Sequence, residues 1–202
     1  VVAHLIGGNL LLAVLVYSTY RLFVEDEQVF TRKAWKNTKI LKQSSILGII
    51  LLLIIISGGA NSSTYSGYAC EAFPGCHATS PFSFVTEKST IDGEQLIPDE
   101  VEPGFFPFFQ NEWIHMIHRL IAIIGGFYLI FIVVRNFITH PKSLHRWVGI
   151  AILVGVSLEI VVGILNAIYR VPVPVSALHT AIASSLVVFL SLSFAKSFRE
   201  RD

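Results

Sequence analysis

Apolar residues concentrate in five blocks, at roughly 3–20, 44–60, 113–134, 147–168 and 174–195, with polar stretches between them. Four blocks have the length of a membrane-crossing helix, and the second is at the short limit. The pattern predicts an all-α fold: a polytopic membrane bundle of five transmembrane helices. They run about Ala3–Tyr20, Ser44–Ala60, Trp113–Phe137, His145–Ile168 and Val175–Phe198. The blocks recur to the end of the chain, so a removed signal peptide does not account for them.

The connections divide the chain. Residues 1–22 carry the first helix, 23–43 a linker, and 44–202 a four-helix unit interrupted by a long connection, 61–112. That connection is rich in Ser, Thr, Pro, Gly and Phe. Pro81, Pro98, Pro103 and Pro107 break regular elements in it. It ends in an aromatic cluster, Phe105–Phe109 with Trp113, suited either to the lipid–water interface or to packing over the bundle. His140-Pro141 makes a tight turn, and Pro172 and Pro174 mark another. A weak repeat is visible. The first and fifth helices share a histidine, a small-residue patch and a terminal cation. The second and fourth end in Gly-x-x-Asn, Gly58 to Asn61 and Gly163 to Asn166. Such repeats suggest two similar halves of four helices each. The first helix is then the last of a half that is otherwise missing. The only methionine, Met116, lies inside a helix, so residues are expected upstream of Val1.

Composition agrees with the pattern: 53% of residues are hydrophobic and 14% charged. Charge placement adds orientation. Of 15 Lys and Arg, six lie between Arg21 and Lys42, three between Arg135 and Arg146, and three in the tail. The 61–112 connection carries one, Lys88, against eight Asp and Glu. By the positive-inside rule Val1 and the long connection are outside and the tail is cytoplasmic. The expected setting is a bacterial-type inner membrane, with lipid as partner and no nucleic acid.

Three histidines each stand 17 residues before a cation: His4 before Arg21, His118 before Arg135, His179 before Lys196. At about 1.5 Å per residue this spans roughly 25 Å, most of the hydrocarbon thickness. The three imidazoles therefore lie at one depth near the outer face. Ionisable residues within a span default to function. Two neutral imidazoles at equal depth on parallel helices suit six-coordinate b-type haem iron, which makes His118 and His179 the leading metal ligands. The plain alternative is separate interhelical hydrogen bonds.

Other residues stay open at this stage. His115 shares the face of His118 and could ligate instead, or contact substrate. Arg119 could hold a haem propionate or anchor at the interface. Cys70 and Cys76 fit a short-loop disulfide in an oxidising compartment, or a redox-active pair. A zinc site there needs more ligands; His77 is adjacent, but the sequence completes no set. Glu159, the one carboxylate inside a span, could relay protons, touch a cofactor or bond to a neighbouring helix. Gly125-Gly126 permits close approach of a helix or a porphyrin face.

The segments SGGANSSTYSGYACEAFPGC, IHMIHRLIA and VPVPVSALHTAIASSL together resemble the C-terminal half of the haem A synthase family. VVAHLIGGNLLLAVLV resembles its fourth helix. The resemblance implies an eight-helix enzyme of two pseudo-symmetric halves that oxidises the C8 methyl of haem O to the formyl of haem A, for cytochrome oxidase. It implies His118 and His179 as ligands of haem b, His4 as a haem-iron ligand of the other half, and Cys70 and Cys76 as the outer-loop pair. The family's acidic residue lies in the missing helices, so no catalytic residue is assigned and the chain alone is expected to be inactive. His115 stands where that acid would fall, and Glu159 where relatives often carry glutamine. Haem O, the enzyme that produces it, an electron donor or acceptor and a second copy are the partners implied. Two rivals remain: a membrane b-type cytochrome that only carries electrons, and a haem-free transporter segment with a histidine and Glu159 proton path.

Overall fold

The computed structural model describes residues 1–24, 38–70, 72–77, 84–85, 90–91, 94–95, 110–138 and 143–197. Five helices run α1 (Val2–Val24), α2 (Thr38–Ser63), α3 (Gln110–Val133), α4 (Ser143–Ile168) and α5 (Val173–Ser197). All five are long and apolar enough to cross a membrane. The chain is thus an all-α, multi-pass membrane protein. α2 is longer than its apolar block suggests, because the helix continues through polar residues at both ends. α3 closes in a π-helical turn, Val134–Ile138. The β structure consists of two-residue antiparallel pairs, Ala72–Phe73 with Phe84–Val85 and Thr90–Ile91 with Glu94–Gln95. The expected turn at His140-Pro141 and the cluster Phe105–Phe109 lie outside the described residues.

Lipid offers no hydrogen bonds, so hydroxyls within the spans turn back on their own helix. Ser45 Oγ donates to Leu41 O, Ser157 Oγ to Leu153 O and Ser185 Oγ to Ala181 O, each at 2.9 Å. A buried polar pair crosses between helices: Ser44 Oγ and Ser193 Oγ meet at 3.0 Å and tie α2 to α5. The α4–α5 turn is tight. Arg170 and Val171 both take positive φ, and Val171 N donates to Asn166 O at 2.8 Å. That long-reach bond closes the carbonyl end of α4, and Pro174 opens α5.

Helices α2 to α5 form a ring. α2 and α4 each pack against both α3 and α5, so the histidine-bearing α3 and α5 stand on the diagonal. Gly125 meets Ile54 of α2 and Gly126 meets Ile160 of α4, which draws α3 against both neighbours. The apolar core, with Leu47, Leu129, Val133, Ile152, Val156 and Leu186, fills the half of the ring away from the cysteine loop. A cavity occupies the other half. α1 lies outside the ring on α2 and α5, with Leu5 against Gly59 and the Tyr17 ring 6.2 Å from that of Phe194.

Candidate haem-binding cavity

The cavity holds about 440 Å³, within the range of small-molecule and cofactor sites. His115, His118 and Arg119 of α3, Glu159 of α4 and His179 of α5 all face it. His4 does not. It is exposed on α1, and an added Cβ at Gly7 or Gly8 beside it would meet nothing within 4 Å.

His118 and His179 each lie over a glycine of the preceding helix. A Cβ on Gly58 of α2 would come 3.1 Å from Cε1 of His118, and a Cβ on Gly163 of α4 would come 3.1 Å from Cε1 of His179. These are the two glycines of the Gly-x-x-Asn repeat. Their bare backbone leaves the width of an imidazole between the helices. The repeat read from the sequence therefore has a spatial counterpart: α2–α3 and α4–α5 are two hairpins of the same design.

The oxygens beside the two rings differ. Ser57 Oγ donates to Ile54 O at 2.9 Å and lies 2.9 Å from His118 Nδ1. When that proton goes to Ile54, the hydroxyl accepts from the imidazole, a pairing that puts the ring hydrogen on Nδ1 and leaves the Nε2 lone pair. His179 Nδ1 lies 3.2 Å from Glu159 Oε1, an approach whose angles fall short of a hydrogen bond. Glu159 Oε2 is buried and has no hydrogen-bond partner among the described residues.

Arg119 links the cavity to the cysteine loop. Cys70 and Cys76 form a disulfide, closing a seven-residue ring. Arg119, 8% exposed, sends Nη1 to the carbonyls of Ala72 at 3.0 Å and Gly75 at 2.8 Å, both in that ring. Its guanidinium stands 5.4 Å from the centre of the Phe73 ring. Nε donates to His115 Nε2 at 3.1 Å, so the lone pair of that nitrogen is engaged. Nη2 is buried and has no hydrogen-bond partner among the described residues. Under the same ring, His77 Nε2 meets Glu112 Oε2 at 3.3 Å, and both residues are buried.

The COX15-CtaA family of cytochrome oxidase assembly proteins matches residues 1–191. The chain belongs to this family. Among curated relatives it is 26% identical, over 198 residues, to the heme A synthase of Shewanella oneidensis. The match covers 94% of this chain and 56% of that protein, so the chain spans little more than half the relative's length.

Of the residues singled out from the sequence, His115, His118, Arg119, Glu159 and His179 line the cavity and His4 does not; Ser57, Glu112 and Phe73 were not singled out. Ser57 is one of several serines in apolar helices, and only its place beside Gly58 sets it apart. Glu112 reads as an ordinary acid in a first helical turn; its partner lies 35 residues away. The fold alone brings them together.

Proposed function

We propose that this chain is the cofactor-bearing C-terminal part of a haem A synthase, with the last helix of the N-terminal part attached. It holds haem b between His118 and His179, and the whole enzyme oxidises the C8 methyl of haem O to a formyl group. The observation that carries the reading is the paired seating of two imidazoles, each over a glycine and each with an oxygen beside Nδ1, on diagonal helices around one cavity. Oxygens beside Nδ1 leave Nε2 as the ligating atom, the usual arrangement for a metal-bound histidine. His115 is the weaker ligand candidate, because Arg119 already engages its Nε2.

The other residues fit the same group. Arg119 has an orphaned, buried Nη2 at the cavity and carries a charge that suits a propionate. The apolar lining, with Ile123, Leu129, Val156 and Leu186, suits a flat, apolar ring. Haem b, when bound, would supply one-electron chemistry. His118 and His179 would hold its iron. Ser57 holds the His118 ring in orientation, Glu159 stands beside the His179 ring, and Arg119 sets the outer end. The face of α1 that carries His4, Gly7 and Gly8 is open, as expected of a ligand helix whose own half lies outside this chain. The charge bias puts the cysteine loop outside and the tail in the cytoplasm.

The test is spectroscopic. Purified chain from haem-replete cells shows a reduced-minus-oxidised spectrum of low-spin b haem, lost in His118→Ala and in His179→Ala. Spectra unchanged in both variants, or a colourless wild-type preparation, would overturn the assignment.

A further inference from the structure

Beneath the disulfide ring lies a second cluster of metal-ligating side chains, separate from the haem cavity. Cys76 Sγ, a nitrogen of His77 and an oxygen of Glu112 all lie within 4.8 Å of one another, and all three residues are buried. Cys70, also buried, is not within that group of three; the disulfide joins it to Cys76, so on reduction its sulfur must swing in to become the fourth donor. The sequence offers only Cys70, Cys76 and His77 as neighbours; α3 supplies the carboxylate by placing Glu112 in its first turn.

The spacing suits a metal. With bonds of about 2.0–2.3 Å to nitrogen, oxygen and thiolate, donor atoms in a tetrahedral shell stand roughly 3.3–3.7 Å apart. His77 Nε2 and Glu112 Oε2 are already 3.3 Å apart. Two thiolates, an imidazole and a carboxylate form a borderline-soft set that prefers four-coordinate zinc over hard, oxygen-seeking cations. Charge is also balanced. Two thiolates, one carboxylate and a divalent ion leave one net negative charge, and the Arg119 guanidinium grips the carbonyls of Ala72 and Gly75 in the same ring.

We infer that the cysteine loop is a zinc-class metal site in its dithiol state. Cys70, Cys76, His77 and Glu112 are the ligands, and the disulfide is the metal-free, oxidised form of the same site. The two forms interconvert in a balanced step. An external dithiol gives two electrons and two protons to the Cys70–Cys76 bond and leaves as its own disulfide. Zinc then displaces the two thiol protons to water. The ring thus has two alternative closures, one by a sulfur–sulfur bond and one by an ion.

The test uses the chain in detergent micelles and zinc ion alone as probe. One sample is kept oxidised. The other is reduced with a phosphine, which offers no competing thiol. After desalting, the reduced chain retains one zinc and the oxidised chain none. Zinc-edge X-ray absorption reads two sulfur and two nitrogen or oxygen neighbours. His77→Asn and Glu112→Gln lose the ion in the reduced state, with helical circular dichroism retained. Absence of zinc from the reduced wild type overturns the site. So does equal retention by both variants, the mark of two thiols acting alone. Should a variant misfold, the ligand count in the wild type still decides, since four sulfurs would mean two chains sharing one ion.

Discussion

The imidazole of His179 rests on the backbone of Gly163, 3.1 Å from where a Cβ would stand, and His118 repeats that distance over Gly58. Each ligand candidate is therefore seated by the neighbouring helix as well as by its own. A ring held this way has little freedom to turn, which is what an axial ligand needs.

The glycines should be hard to replace. A methyl at either position must push the ring aside, an overpacking cost of about 1–3 kcal/mol. Gly163→Ala and Gly58→Ala are expected to lower haem content per chain, and the two Val substitutions to abolish it, by pyridine haemochrome assay. Full haem loading with a native spectrum in both Val variants would contradict the seating argument.

The oxygens beside the rings should set the electronic character of the iron. A carboxylate near Nδ1–H draws the proton and makes the imidazole a stronger donor, which favours ferric iron; a hydroxyl does this less. Glu159→Gln is expected to raise the midpoint potential, and Ser57→Ala to raise it by a smaller amount. About 1 kcal/mol of changed preference corresponds to about 40 mV in a one-electron couple. Redox titration of both variants checks the order. A fall in potential in Glu159→Gln would refute it.

Arg119 should hold the cysteine ring in place. Arg119→Gln leaves the buried carbonyls of Ala72 and Gly75 without their donor, at about 1–3 kcal/mol each. Arg119→Lys keeps the charge but loses the Nε–H that reaches His115 and the planar guanidinium beside the Phe73 ring. Both variants are expected to show faster amide exchange in residues 70–77, with the disulfide intact by mass. Wild-type protection in Arg119→Gln would show that the ring stands without the guanidinium.

How much could be read without coordinates depended on what each residue needed. Helix number and position follow from apolar length, because a bilayer dictates it. His118 and His179 stood out because a histidine within a span is costly and their spacing to a cation repeats. The Gly58 and Gly163 repeat was visible as a pattern, but its purpose was not, since the partner of each glycine sits on another helix. His115 could not be separated from His118 by sequence; the hydrogen bond from Arg119 to His115 Nε2 distinguishes them. Glu159 read as a lone acid until α5 brought His179 beside it. Glu112 and His77 illustrate the limit, because no local signal links residues on opposite sides of a long connection.

α1 covers part of the four-helix ring while much of its own surface stays open. Its inward stripe leans on Gly59 and Phe194, while His4 faces away. Anyone dividing the gene into separately expressed modules would place the scissors in the stretch 25–37. That cut would strip a buttress from the four-helix ring and leave α2 and α5 greasy where they had been covered. Kept with the ring, α1 goes on shielding those two flanks.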